Sequence, residues 1–188
     1  MFTLNETNSA IFEILLDYFS GHINHATTGM NPDKGLLLFG AIGCGKTFFM
    51  NLFRRNSKCT YVIRSCSQVS YEYSTEGFPR IEFYSNHWKT YRNEFGQTST
   101  GICFDDLGTE TDRKHFGDNL NVMGEIIMNR YRNRELWKQT FITTNLTGKQ
   151  ISEAYGERLT SRIFEMFNIL KFPANPKDWR KENIKRVL

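Results

Sequence analysis

Eight residues limit what this chain can become. Gly40-Ala41-Ile42-Gly43-Cys44-Gly45-Lys46-Thr47 fits the pattern Gly-x-x-x-x-Gly-Lys-Ser/Thr, and its flanks give the pattern physical meaning. Ahead of it, Gly35-Leu36-Leu37-Leu38-Phe39 is a short apolar run that predicts a strand buried on both faces, as parallel-sheet strands are. Behind it, Phe48-Phe49-Met50-Asn51-Leu52-Phe53 sets large apolar residues at helical spacing and predicts a helix running to about Asn56-Ser57. Strand, glycine-rich turn and helix in that order make a phosphate cradle. The glycines let the backbone curl so that successive N–H groups point inward, and the helix N-terminus adds positive potential. On this reading the loop and the following Phe48 enclose a nucleotide's phosphates. Lys46 reaches the β- and γ-phosphates, and the Thr47 hydroxyl ligates Mg²⁺.

Two later strands have ends that suit such a cradle. Gly101-Ile102-Cys103-Phe104-Asp105-Asp106-Leu107-Gly108 is an apolar strand running straight into two acids. Asp105 would hold the magnesium water shell, and Asp106 sits where a base or water-positioning group is needed. Thr140-Phe141-Ile142-Thr143-Thr144-Asn145 ends in small polar residues. The C-terminal ends of parallel strands line the ligand crevice, so Asn145 can orient a water against the terminal phosphate.

The rest of the chain supplies the intervening elements. Residues 7–22 carry Ile11, Leu15 and Tyr18 on one helical row and Phe12, Leu16 and Phe19 on the next, with Gly21 as a stop. Thr60-Tyr61-Val62-Ile63 reads as a second strand. From Ser67 to Gly96 helix is favoured, interrupted at Gly77 and Pro79, although Val69, Tyr71 and Tyr73 also alternate. Residues 108–117 read as a polar loop, followed by a helix capped by Asp118 or Asn119 that carries Leu120, Met123, Ile127 and Tyr131. Arg130, Arg132 and Arg134 near its end suit the helix dipole. Thr147 to Gln150 forms a capping box that opens a short helix stopping at Gly156. Glu157 to Met166 forms another, with Arg158 and Arg162 on one face, and Ile169-Leu170-Lys171-Phe172 is a last strand closed by Pro173. Five strands separated mostly by helices define an α/β fold with a parallel sheet.

Bulk properties set bounds on partners. A chain of 188 residues fits one domain, and no apolar run approaches the ~20 residues that span a bilayer. The N-terminus has no basic region ahead of an apolar one, so no secretory signal is expected and the cytoplasm is the expected location. Cys44, Cys59, Cys66 and Cys103 lack metal-ligand spacing and are expected as reduced thiols. The net charge of +4 permits nucleic-acid binding without demanding it. The basic stretch from Lys177 to Arg186, with Trp179 inside it, suits either a phosphate backbone or a solvated helix face.

Taken in order, the motifs resemble an AAA+ ATPase. A phosphate loop is followed about 60 residues on by an acidic strand end, about 40 further by a polar strand end, and then by paired arginines. Phe104-Asp105-Asp106-Leu107-Gly108, Thr143-Thr144-Asn145-Leu146 and Tyr155-Gly156-Glu157-Arg158-Leu159-Thr160-Ser161-Arg162 are similar, more narrowly, to the bacterial helicase-loader branch of DnaC-, DnaI- and IstB-like proteins. The resemblance covers residues 28–173 and implies a three-layer P-loop NTPase core with five parallel strands in the order 5-1-4-3-2. A helix and connector (1–27) would precede that core and a basic tail (174–188) would follow it. It also implies ATP and Mg²⁺ as cofactors and a homo-oligomer formed with ATP. The partners it implies are single-stranded DNA and a helicase or transposase client. Asn145 matches sensor 1. Arg162 matches the arginine finger that reaches a neighbouring subunit's ATP, with Arg158 as the alternative for that work.

Two departures bear on function. The second Walker B acid is Asp106 where many AAA+ proteins have Glu, one methylene longer. Only about 15 residues follow the last strand, too few for a helical lid. Two other readings stay open: a nucleotide-gated adaptor with little hydrolysis, and a small-molecule kinase on a P-loop scaffold.

Overall fold

The computed structural model describes residues 6–22, 29–86, 100–110, 113–115 and 118–173. In chain order the elements are α1 (Glu6–Ser20), β1 (Gly35–Phe39), α2 (Lys46–Leu52), β2 (Thr60–Ser65), α3 (Cys66–Glu76) and α4 (Phe78–Asn86). Then come β3 (Thr100–Leu107), a hairpin of β4 (Arg113–His115) and β5 (Asp118–Leu120), and α5 (Val122–Arg132). A 3₁₀ segment (Arg134–Gln139), β6 (Thr140–Thr144), α6 (Gly148–Tyr155), α7 (Glu157–Met166) and β7 (Phe167–Lys171) complete the chain.

Five strands form one parallel sheet in the order β2-β3-β6-β1-β7. Counted along the chain without the hairpin, that is the expected 5-1-4-3-2 order. β1 lies between β6 and β7, and all five of its residues are buried. Because side chains alternate across a strand, Leu37 and Phe39 enter a cluster with Ile102, Phe104, Ile142 and the inner faces of α3 to α7. Leu36 and Leu38 enter a second cluster with Cys103, Phe141 and the inner faces of α1 and α2. The result is three layers, with the sheet in the middle.

The first helix, expected ahead of the core, lies within this second cluster. Phe19 stacks on Phe53 and Tyr61 at 5.4 and 5.6 Å between ring centroids and meets Phe141 edge-on at 5.5 Å. The Tyr18 hydroxyl donates to the Lys34 carbonyl at 2.7 Å, tying α1 to the entry of β1.

Several expectations need correction. The helix after the glycine loop stops at Leu52, about one turn early. The Asn56 side chain accepts from the N–H groups of Lys58 and Cys59 and donates to the carbonyls of Phe53 and Cys59, so a side-chain-built turn displaces the last helical turn. The polar stretch 108–117 is not all loop, because Arg113 to His115 pairs antiparallel with Asp118 to Leu120. Leu120 is therefore a strand residue, and α5 is capped instead by Asn121, whose Oδ1 accepts from the Gly124 N–H at 2.8 Å. The last strand starts at Phe167, where pairing with Gly35 extends it by two residues. The cysteines are free thiols, and all four are buried. No helix among the described residues is long and apolar enough to cross a membrane. The expected helix beyond Asn86 and the basic tail fall outside the described residues.

Phe19→Ala is expected to lower unfolding free energy in urea by about 3–5 kcal/mol. A loss below about 1 kcal/mol would mean that α1 does not belong to the cooperative core.

Candidate functional site

At the C-terminal ends of β1, β6 and β3, three adjacent strands deliver their polar residues to one place. The loop after β1 turns through Gly43 and Gly45, at φ +80° and +102°, a region where glycine has no side chain to clash. Lys46, only 4% exposed, folds back under this loop. Its Nζ donates to the carbonyls of Gly40 (2.8 Å) and Ala41 (3.1 Å) and to Asn145 Oδ1 (2.6 Å). Cys44 Sγ lies 3.7 Å from the same Nζ, and burial raises its thiol pKa. Phe48 sits in the first turn of α2, exposed and edge-on to Phe49. Ala41 and Ile42 are exposed at the loop's tip.

Asp105 is the centre of the second half. Its carboxylate accepts from Thr47 Oγ1 at 3.0 and 3.1 Å and from Thr143 Oγ1 at 2.6 Å. Withdrawal from water raises its pKa above the ordinary carboxylate value and the neighbouring Asp106 adds to the rise, while the two threonine hydrogen bonds pull the other way. Asp106 is the one non-glycine residue at positive φ (+57°) among the described residues. Its N–H donates to Thr143 Oγ1 at 2.9 Å, where the β3–β6 register shifts. Its carboxylate accepts from Asn145 Nδ2 at 3.3 Å. Lys46, Thr47, Asp105, Asp106 and Asn145 are thus joined by side-chain hydrogen bonds through Thr143.

These residues fit the groups the sequence implies. Thr47 and Asp105 converge hard oxygen donors suited to Mg²⁺, which keeps most of its shell for water and phosphate. The oxygens that accept from the buried Lys46 ammonium, those of Gly40, Ala41 and Asn145, are neutral, and a phosphate is a stronger acceptor for it. Beside the loop a cavity of about 420 Å³ opens between Gly40, Ala41, Asn145, Leu146, Phe164 and Phe172. A Cβ on Gly40 would come within 2.7 Å of Cys44 Sγ and 2.8 Å of Phe172, so the loop has no room for a larger residue there.

The two arginines lie apart from this cluster. Arg162 bonds Tyr131 of α5 and pairs with Glu165 one turn along its own helix, α7. Arg158 is exposed. Arg130, in the last turn of its helix as expected, is 2% exposed and ties α5 to β6 and α4 through Thr140 Oγ1 (2.8 Å) and the Tyr84 carbonyl (2.9 Å). It is therefore not free to bind a phosphate. Glu110 accepts from the Tyr155 hydroxyl and from the Gly108 N–H. Thr143, which orients both acids, and Tyr155 were not singled out by sequence reasoning. For Thr143 the available signal was its place one residue before Thr144 and Asn145 at a strand end.

Strand order, glycine loop after β1 and acids ending β3 define a P-loop α/β fold of the AAA+ type. The fold matches the crystal structure of the DnaC helicase loader with a TM-score of 0.55 and 19% identity, over 92% of this chain and 94% of that one. It matches the crystal structure of DnaI at 0.55 and 17%, over 94% and 87%. Against AMPPCP-bound DnaA from Aquifex aeolicus the score is 0.59 at 16% identity, and the chain spans 53% of that protein. No family model and no curated protein matches the sequence. At these identities the likeness establishes the fold.

Thr143→Val keeps the side-chain shape but leaves the Asp106 N–H and the Asp105 carboxylate short of a partner. We expect a loss of about 1–3 kcal/mol in urea unfolding. An unchanged midpoint would show that the hydroxyl does not hold the two acids.

Proposed function

We propose that the chain is an ATP-binding and hydrolysing AAA+ protein that works as an oligomer on DNA-associated complexes, in the manner of a replicative helicase loader or transposition helper. The observation that carries this reading is the convergence of Lys46, Thr47, Asp105, Asp106 and Asn145 at three neighbouring strand ends. The likeness of the fold to the DnaC helicase loader supports a helicase client, while single-stranded DNA and a transposase client rest on the sequence resemblance.

The chemistry follows from the geometry. The loop Gly40 to Thr47, continued by Phe48, encloses the phosphates, and Lys46 exchanges its carbonyl and Asn145 contacts for phosphate oxygens. Mg²⁺ held by Thr47 and Asp105 would supply charge neutralisation at the β- and γ-oxygens. With Lys46 withdrawn, Asn145 is free to orient a water, and Asp106, already within reach of Asn145 Nδ2, accepts that water's proton. Charge that develops on the transferring phosphoryl group needs a further cation, and among the described residues no arginine hydrogen-bonds into the cluster. Arg162 of a neighbouring copy fills that place, with Arg158 as the alternative.

One observation favours the adaptor reading as second choice. Asp106 is a short acid already engaged by Asn145, an arrangement suited to slow hydrolysis. Phosphoryl transfer to a small molecule is disfavoured, because Arg130 is buried in the core rather than poised in a lid.

Arg162→Ala is expected to leave ATP binding intact and to lower DNA-stimulated hydrolysis by about 10³-fold or more, whereas Lys46→Ala loses nucleotide binding itself. Full activity in Arg162→Ala would remove the trans role. Single-turnover hydrolysis by the unaltered protein no faster than by Lys46→Ala would establish the adaptor reading instead.

A further inference from the structure

Arg162 stands at the end of a stacked ladder that no part of the nucleotide site requires. The Arg134 guanidinium lies 4.9 Å over the Trp137 ring. Trp137 stacks on Tyr131 with centroids 5.3 Å apart and planes 27° from parallel. The Arg162 guanidinium lies over the Tyr131 ring in turn, 4.9 Å from its centroid. Trp137 is 6% exposed and its Nε1 donates to the Tyr131 carbonyl at 2.8 Å, so the ring that supports Tyr131 is itself fixed. At its far end the Tyr131 hydroxyl donates to Glu165 Oε2 at 2.7 Å and accepts from Arg162 Nη1 at 3.1 Å. Glu165, one turn along α7, stands 3.6 Å from the same Nη1.

We infer that Tyr131 is the positioning residue for Arg162, holding its guanidinium by ring face and hydroxyl so that the remaining donors are presented outward. This rests on the trans role proposed above for Arg162. A free arginine side chain carries considerable rotamer entropy, which an unsupported finger would lose each time it engaged a neighbour's phosphate. Here only Nη1 hydrogen-bonds to protein among the described residues. Nε and Nη2 keep their N–H groups for an incoming oxyanion, so the contact supports the finger without occupying it. The hydrogen bond to Glu165 also raises the phenol's pKa. The arrangement uses cation–π attraction where a direct ion pair alone would pull the guanidinium toward Glu165.

The test uses the full chain under conditions where it oligomerises, with kcat, KM for ATP and thermal midpoint measured together. Tyr131→Phe keeps the ring and removes both hydrogen bonds, and its kcat is expected to fall about fivefold with KM and midpoint unchanged. Tyr131→Leu removes the stack as well and should fall about tenfold or more, the loss assigned to cation–π support. Neither substitution should lower single-turnover hydrolysis further when combined with Arg162→Ala, because Tyr131 acts only through that side chain. If Arg162→Ala is inactive while both Tyr131 variants match the unaltered protein, the positioning role is overturned and the trans role stands. Losses that add to that of Arg162→Ala overturn it as well. A fully active Arg162→Ala overturns the trans role, and this inference with it.

Discussion

Asp105 is a half-buried carboxylate at a seam between three elements, and the hydrogen bonds that satisfy it depend on the arrangement of the sheet. A buried carboxylate without donors costs several kcal/mol. Asp105 meets that need with Thr47 from α2 on one side and Thr143 from β6 on the other. Both donors reach it only if the end of β3 lies beside β6 and β6 lies beside β1, which delivers α2. The observed order β2-β3-β6-β1-β7 provides this adjacency. Strand order and site chemistry are therefore one constraint. A sheet with β3 directly against β1 would leave Thr143 on the wrong strand.

The same seam accounts for the local backbone. Thr143 Oγ1 takes the Asp106 N–H while donating to Asp105, and the Thr144 hydroxyl donates to the Leu107 carbonyl at 2.7 Å. Side chains of β6 thus replace part of the backbone ladder to β3, and the register slips between Phe104 and Leu107. Asp106 is left in the left-handed region, a conformation that costs about 1–3 kcal/mol for a residue with a side chain. That strain turns the second acid toward Asn145 rather than along the strand. Lys46 completes the circuit from below, with Asn145 bonded at once to the lysine through Oδ1 and to Asp106 through Nδ2. A ligand that draws Lys46 away necessarily changes what Asn145 can do for Asp106.

Legibility in the sequence tracked how local the determining interactions are. The glycine loop, the acidic strand end and the capping box at Thr147 are each set by residues within a few positions of one another, and each stands where periodicity and spacing place it. The boundaries that differ are those decided by a competing side chain. Asn56 ends α2 early by building its own turn, and Asn121 outcompetes Asp118 and Asn119 as a cap because Gly124 N–H lies in reach of its Oδ1. The hairpin over 113–120 carried no apolar alternation to signal strands. Thr143 was readable as a strand-end residue, but its bonds to Asp105 and Asp106 span 38 and 37 positions, and only the sheet order brings them together.

The arginines show the limit of composition most clearly. Arg130 and Arg162 both lie on helices beside the same face of the sheet, and helical spacing treats them alike. Burial separates them. Arg130 is enclosed, with Thr140 and the Tyr84 carbonyl as acceptors and the Phe104 ring 6.0 Å away, and burial lowers its pKa to about 10. Its charge is committed to joining α4, α5 and β6. Arg162 rests on a ring face at the surface, with one nitrogen bonded among the described residues. What divides a structural arginine from one able to act on another molecule is the number of donors the fold leaves unused, and that number depends on neighbours tens of residues away.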